Sequence, residues 1–132
     1  MISQDIVNAW NSMNANKGGA LLLTLDDANR LILQSESGPE TAYSDIIAQL
    51  PKDDVALLVV WFDYESMEKP ARKLNKILLI NWQPDAAPAR RKMANKMTNV
   101  RELQTIVTEG KVLEVSSLDE LDHKTITKLL LR

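Results

Sequence analysis

The chain has 132 residues, 45% of them hydrophobic and 26% charged, with a formal net charge of -2 and no cysteine. That length suits one domain with a real core, and the slight negative charge gives no global pull toward nucleic acid or anionic membrane, so any basic surface has to be local. The lack of thiols excludes disulfides and thiolate chemistry, which agrees with a reducing compartment. No apolar run reaches the roughly 18 residues of a membrane span. The opening MISQDIVNAW lacks the basic start and apolar stretch of a secretory signal. The protein therefore reads as intracellular.

Ser3 is placed to cap a first helix that carries Ile6, Val7, Trp10 and Met13 on one face. Lys17-Gly18-Gly19 ends it. Residues 20–25 form an apolar strand, Asp26-Asp27-Ala28-Asn29 a turn, and residues 30–35 the returning strand of a hairpin. Gly38-Pro39 opens a second helix with Ala42, Tyr43, Ile46, Ile47 and Leu50 inward and Pro51 as its stop. Residues 55–62 are almost unbroken apolar sequence, as in a central strand covered on both faces. A polar loop over 65–75 leads to a strand over 76–82. The third helix spans about 86–103, tolerating Pro88 in its first turn. Residues 111–115 form a short strand. Ser117 and Glu120 make a capping box for a last helix over about 118–131.

The order α-β-β-α-β-β-α-β-α builds a sheet from hairpins, and its last strand arrives by a helical crossover that allows parallel pairing. Helices must cover both faces, because the central strands show little polar alternation. The fold class is a three-layer α/β/α sandwich with a mixed, mainly antiparallel central sheet.

Most chemistry-bearing residues have bland explanations. Asp26/Asp27 and Asp53/Asp54 sit in turns, where Asp bonds nearby backbone. Asp119, Glu120 and Asp122 sit in a first helical turn, where negative charge suits the macrodipole. His123 has no cysteine or second histidine with which to share a metal; it reads as an exposed helix residue. Gly18-Gly19 is a helix terminator, not a phosphate loop. No cofactor and no metal site are expected. The third helix is more informative. At about 100° per residue, Met93, Met97 and Val100 fall on one side, with Met97 and Val100 as core. Lys92 and Lys96 lie on a solvated face with Arg91 and Asn95 beside it, and Arg90 borders the apolar side near Met93. Lys124, Lys128 and Arg132 form a basic line at spacing four, and Lys69, Arg72 and Lys73 add charge in the 65–75 loop. Positive charge gathered this way in an acidic chain suits a large acidic partner; solubility and helix-dipole complementation are the alternative.

Two stretches carry a family resemblance. One is Leu50-Pro51-Lys52-Asp53-Asp54 followed by Val59-Val60-Trp61-Phe62-Asp63-Tyr64-Glu65. The other runs from Lys76-Ile77 through Trp82-Gln83-Pro84-Asp85 to Ala87-Pro88-Ala89-Arg90-Arg91-Lys92-Met93, giving W-x-P-D-x-A-P-x-R-x-K-M. These resemble the actin-depolymerising factor/cofilin family over nearly the whole chain. The resemblance implies a single ADF-homology domain over 1–132, of the gelsolin-like sandwich class. It implies an actin-binding protein, not an enzyme, that binds monomers and filaments and promotes severing and depolymerisation.

By that resemblance Arg90 and Lys92 match the family's basic actin-contacting pair and Met93 the apolar contact beside them. Arg91 and Lys96 are counted with this monomer-type surface, as are Met1, Ile2 and Ser3 at the start of the chain. A filament-type surface would comprise Lys69, Arg72, Lys73, Lys124, Lys128 and Arg132. The implied partner is actin, with phosphoinositides as a further candidate and no nucleic acid. The expected state is a monomer in the cytoplasm, on the actin cytoskeleton. There are departures. Asn95, Lys96, Met97 and Thr98 replace the family's usual residues after the motif, and its later basic pair falls at Leu103 and Gln104, so that only Arg101 could substitute. The N-terminal arm is short, so Ser3, the counterpart of a phosphorylated serine, reads better as a cap. A non-severing relative, similar to coactosin or glia maturation factor, is the alternative function.

Overall fold

The computed structural model describes residues 2–131. A five-stranded sheet has the order β2-β1-β3-β4-β5, with β1 at Ala20–Leu25, β2 at Leu31–Ser37, β3 at Ala56–Glu65, β4 at Lys73–Trp82 and β5 at Lys111–Val115. All pairings are antiparallel except β4 with β5, which is parallel. The mixed sheet and its parallel last strand match the sequence reading.

Alternation along the central strands divides the core into two layers. Leu21, Leu23, Leu57, Val59, Ile77 and Leu79 face helix α1 (Gln4–Asn16) and a long helix beginning at Ala89. Leu22, Leu58, Val60, Leu78 and Ile80 face helix α2 (Tyr43–Ile47) and a terminal helix, His123–Leu130. Both faces are thus covered, which is why residues 55–60 are buried without interruption. The result is the expected three-layer sandwich.

Several boundaries differ from expectation. The 65–75 loop is shorter, because β3 and β4 pair out to Glu65 and Lys73. This makes a projecting hairpin arm whose turn is closed by Ser66, which accepts the Arg72 amide on its hydroxyl at 2.9 Å. Lys73 is therefore a strand residue. The last helix is two pieces. Leu118–Leu121 is a 3-10 turn whose Glu120 carboxylate accepts the amides of Ser116 and Ser117 at 2.6 and 3.3 Å, so the reach-back of the expected capping box is present. Asp122 then turns extended, and its carbonyl accepts the Ile126 amide to restart the helix. Helix α2 is short and leaves Ala42 exposed.

Ser3 is a correction of a different kind. It occupies the cap position with extended backbone, and its carbonyl accepts the Val7 amide at 3.2 Å, but its hydroxyl makes no capping bond. Gln4 bonds Asn8 one turn on. Caps that do bond contribute about 0.5–2 kcal/mol. Ser3→Ala should therefore shift unfolding free energy by less than about 0.5 kcal/mol in a denaturant melt; a larger loss would mean the hydroxyl does cap in solution.

Candidate functional site

The long helix is built from three continuous segments: α-helix over Ala89–Ala94, a π-helical turn over Asn95–Asn99, and α-helix over Val100–Gln104. Val100 and Leu103 are buried and set the inward face. Projected back from Val100 at about 3.6 residues per turn, the inward line runs through positions 96–97 and 93. A π turn closes i→i+5 bonds and so inserts a residue. The inward line moves by about one position, to Asn95 and Arg91. Asn95 and Asn99 are 0% and 2% exposed, whereas Met93 and Met97 are 67% and 57% exposed. Three expectations are corrected together: Met97 is not core, and Asn95 and Arg91 are not on a solvated face.

Each inward polar group has partners, as burial demands. Asn95 Nδ2 donates to Asn81 Oδ1 at 2.8 Å and to the Ala56 carbonyl at 3.2 Å. Asn99 Nδ2 donates to the Asn29 carbonyl at 3.2 Å. Arg91 is the largest anchor. Its Nε and one terminal nitrogen grip the two Asp54 oxygens, both at 2.8 Å. It also donates to the carbonyls of Leu25 and Asp26 and to Asn29 Oδ1. A bidentate guanidinium–carboxylate pair is rigid as well as strong. Arg91 is thus spent inside the chain, joining the helix to the β1–β2 turn and the approach to β3; it does not belong with the free cations.

The turn before the helix is equally structural. Trp82 is buried and donates its indole N–H to the Pro51 carbonyl at 2.6 Å. Gln83 donates to the Lys92 carbonyl at 2.8 Å, and Ala87 is buried beneath the helix start. With the inner side fixed, Arg90, Met93, Lys96, Met97 and Arg101 are left exposed, and Lys92 is half-buried with Nζ 3.4 Å from the Asp85 carbonyl. Lys96 lies 3.9 Å from Glu114 of β5. The outer face is a basic ridge with an apolar pair in its middle. Ile2 packs partly against the core, Ser3 is exposed, and Met1 lies outside the described residues.

The second group of predicted residues meets on the opposite layer. An open groove of about 770 Å³ runs between the β3–β4 arm and the terminal helix. Lys73, Lys124 and Lys128 line it, together with Asp63, Glu65 and His123, so its charge is mixed. His123 stacks on Phe62 at 4.7 Å. Its Nε2 lies 2.8 Å from the Asp63 carbonyl, which can only accept, so Nε2 carries the proton. His123 is exposed but not free. Lys69 and Arg72 stand at the arm's tip, Arg72 paired with Glu68 at 3.2 Å. Met67 is 83% exposed there. Arg132 lies outside the described residues.

The shifted titratable groups among the described residues are explained by structural contacts. The Asp54 carboxyl is held below its ordinary value of 3.8 by the Arg91 hydrogen bonds, against opposing burial and with help from the Val55 amide. Asp26 is also lowered, chiefly by the Arg30 amide. Burial raises the Tyr43 hydroxyl, which donates to the Leu121 carbonyl at 2.7 Å. Among the described residues no three His, Cys, Asp or Glu are grouped to hold a metal ion, and no helix is long and apolar enough to cross a membrane.

The long helix thus presents an outward-facing basic and apolar surface on a sheet covered on both faces. Residues 1–131 match the family described as cofilin/tropomyosin-type actin-binding protein. The chain belongs to this cofilin/ADF family, whose members bind and do not catalyse. It is 27% identical to a cofilin of Ogataea parapolymorpha over 99% of the chain and 92% of that protein. It is 31% identical to a cofilin of Kluyveromyces lactis over 70% of the chain and 64% of that protein. A crystal structure of Streptomyces griseoflavus cofilin superimposes with a TM-score of 0.82 at 19% identity, covering 97% of this chain and 94% of that one.

The Asp54–Arg91 pair carries a pH signature. Because the folded carboxyl titrates lower than the unfolded one, its stabilisation is complete above the unfolded value and disappears as pH falls through it into the lower folded range. Asp54→Asn should cost about 1 kcal/mol near neutral pH, given partial solvent screening. The gap between wild type and variant should narrow below about pH 4. Asp26 is common to both proteins and cancels. Urea melts from neutral to acid pH measure the gap, and one that stayed constant or widened in acid would contradict the assignment.

Proposed function

We propose that the chain binds actin monomers through the outer face of the long helix, and filaments through that face together with the groove on the opposite layer. The observation that carries this is the outward rotation of Arg90, Met93 and Met97, with Lys92 and Lys96 beside them. Met93 and Met97 are 67% and 57% exposed, so a partner that covered them would recover roughly 1–2 kcal/mol each. Arg90 and Lys96 are exposed, so they can pair with an acidic surface without first breaking a buried contact. Two docking surfaces on separate layers let one molecule touch two successive subunits. Bound energy then favours one filament geometry over another, which is differential affinity for two states, not chemistry. Filament severing and disassembly are the consequence in this reading. It takes the protein as a cytoplasmic monomer on the actin cytoskeleton, with phosphoinositides as candidate ligands of the lysines.

Arg90→Ala with Lys92→Ala should leave the melting curve close to wild type, since neither side chain is fully buried. It should weaken monomer binding by about 2 kcal/mol or more, as for central charged hot spots. Unchanged affinity for labelled monomeric actin would refute the site.

Lys124→Glu with Lys128→Glu should abolish filament co-sedimentation and severing seen by microscopy while sparing monomer binding. Wild-type filament binding should also fall more steeply with salt than monomer binding, because exposed charge pairs are screened. Full severing by the reversed variant would place the filament surface elsewhere.

A further inference from the structure

We infer that Met93 and Met97 are a peroxide-sensitive modification site that turns the docking face off when oxidised. The inference rests on the actin-binding reading above and adds a regulation to it. The chain holds five methionines and no cysteine, so thioethers are its only oxidisable sulfur. Among the described residues Met13 is 5% exposed and sealed in the core beside Trp10. Met67, Met93 and Met97 are 83%, 67% and 57% exposed. Among the described methionines only Met93 and Met97 share one continuous helix, one turn apart in the middle of the basic face.

That placement follows from the π turn. A regular helix would turn Met97 toward the sheet; here the added residue brings it out beside Met93, while Asn95 and Asn99 take the inward positions. A lone surface methionine offers little to an oxidant switch. Two adjacent ones make up the apolar centre of a surface that is otherwise charged, and the sulfoxide replaces an apolar group with a polar, chiral one.

The chemistry needs only hydrogen peroxide. A thioether lone pair attacks one peroxide oxygen, an S–O bond forms and the O–O bond breaks. The departing hydroxide takes the proton left on the transferred oxygen, giving sulfoxide and water. Sulfur is oxidised and peroxide reduced, and a methionine sulfoxide reductase reverses the change.

The test treats wild type, Met93→Leu/Met97→Leu and Met67→Leu with peroxide, removes the oxidant with catalase, and only then adds actin. Peptide mass spectrometry reads sulfoxide at each methionine, and each protein's monomer affinity is compared with its own untreated sample. Expected is sulfoxide at Met67, Met93 and Met97 well before Met13. Wild type and Met67→Leu should lose about tenfold in affinity, and the double variant should keep its untreated value. Reductase treatment should restore wild type. Full sulfoxide at Met93 and Met97 with unchanged affinity overturns the inference, as does an equal loss in the double variant or protection in Met67→Leu. Untreated wild type that fails to bind overturns the actin reading itself, and this inference with it.

Discussion

The docking face exists because the long helix is gripped from behind by polar side chains. Asn95, Asn99 and Arg91 hold it through the Ala56, Asn29, Leu25 and Asp26 carbonyls and the Asp54 carboxylate. An unpaired buried amide costs about 1–3 kcal/mol, so once these groups lie inward the helix cannot rotate without breaking several bonds together. Apolar packing alone would not specify this orientation. Methionine and leucine tolerate rotation and repacking; a fork of guanidinium donors on a carboxylate does not. Specificity of orientation comes from hydrogen bonds, and the bulk of the stability from the two apolar layers.

The same division separates conserving the fold from presenting the face within the W-x-P-D-x-A-P-x-R-x-K-M stretch. Trp82, Gln83, Ala87 and Arg91 turn inward and tie the turn and helix to Pro51, Lys92, the core and Asp54. Arg90 and Met93 are turned to solvent. Residues adjacent in sequence therefore hold opposite duties, and a substitution at Arg91 acts on stability where one at Arg90 acts on binding.

Much of this was legible in the sequence. The bounds expected for β1 and β5 coincide with those observed: β1 is an apolar run, and β5 is a short β-branched and apolar stretch between Gly110 and Ser116-Ser117. The layer count followed from the unbroken apolar character of 55–62. The extended arm was missed because Asp63, Glu65, Lys73 and Asn75 alternate polar residues into solvent, and only cross-strand pairing holds them. The π turn was invisible because a wheel assumes one period throughout. A signal was present: Asn81, Asn95 and Asn99 are candidates for a buried amide ladder, and Asn95 and Asn99 are spaced one turn apart. Ser3 has the residue type and position of a cap, but its hydroxyl makes no capping bond, a detail of side-chain orientation that residue type and spacing do not reveal.

The Arg91 clamp also bears on how the chain reaches its working form. Its bonds span 37 residues to Asp54 and 66 to Leu25, so they close only after the hairpin, the central strands and the crossover are in place. Contacts of such sequence separation require a long loop to be closed before they can form. An incompletely folded chain can hold a helix over these residues, but its cations and methionines have no fixed direction. The direction of the docking face is thus set by contacts distant in sequence, and competence to engage a partner depends on the whole fold being in place.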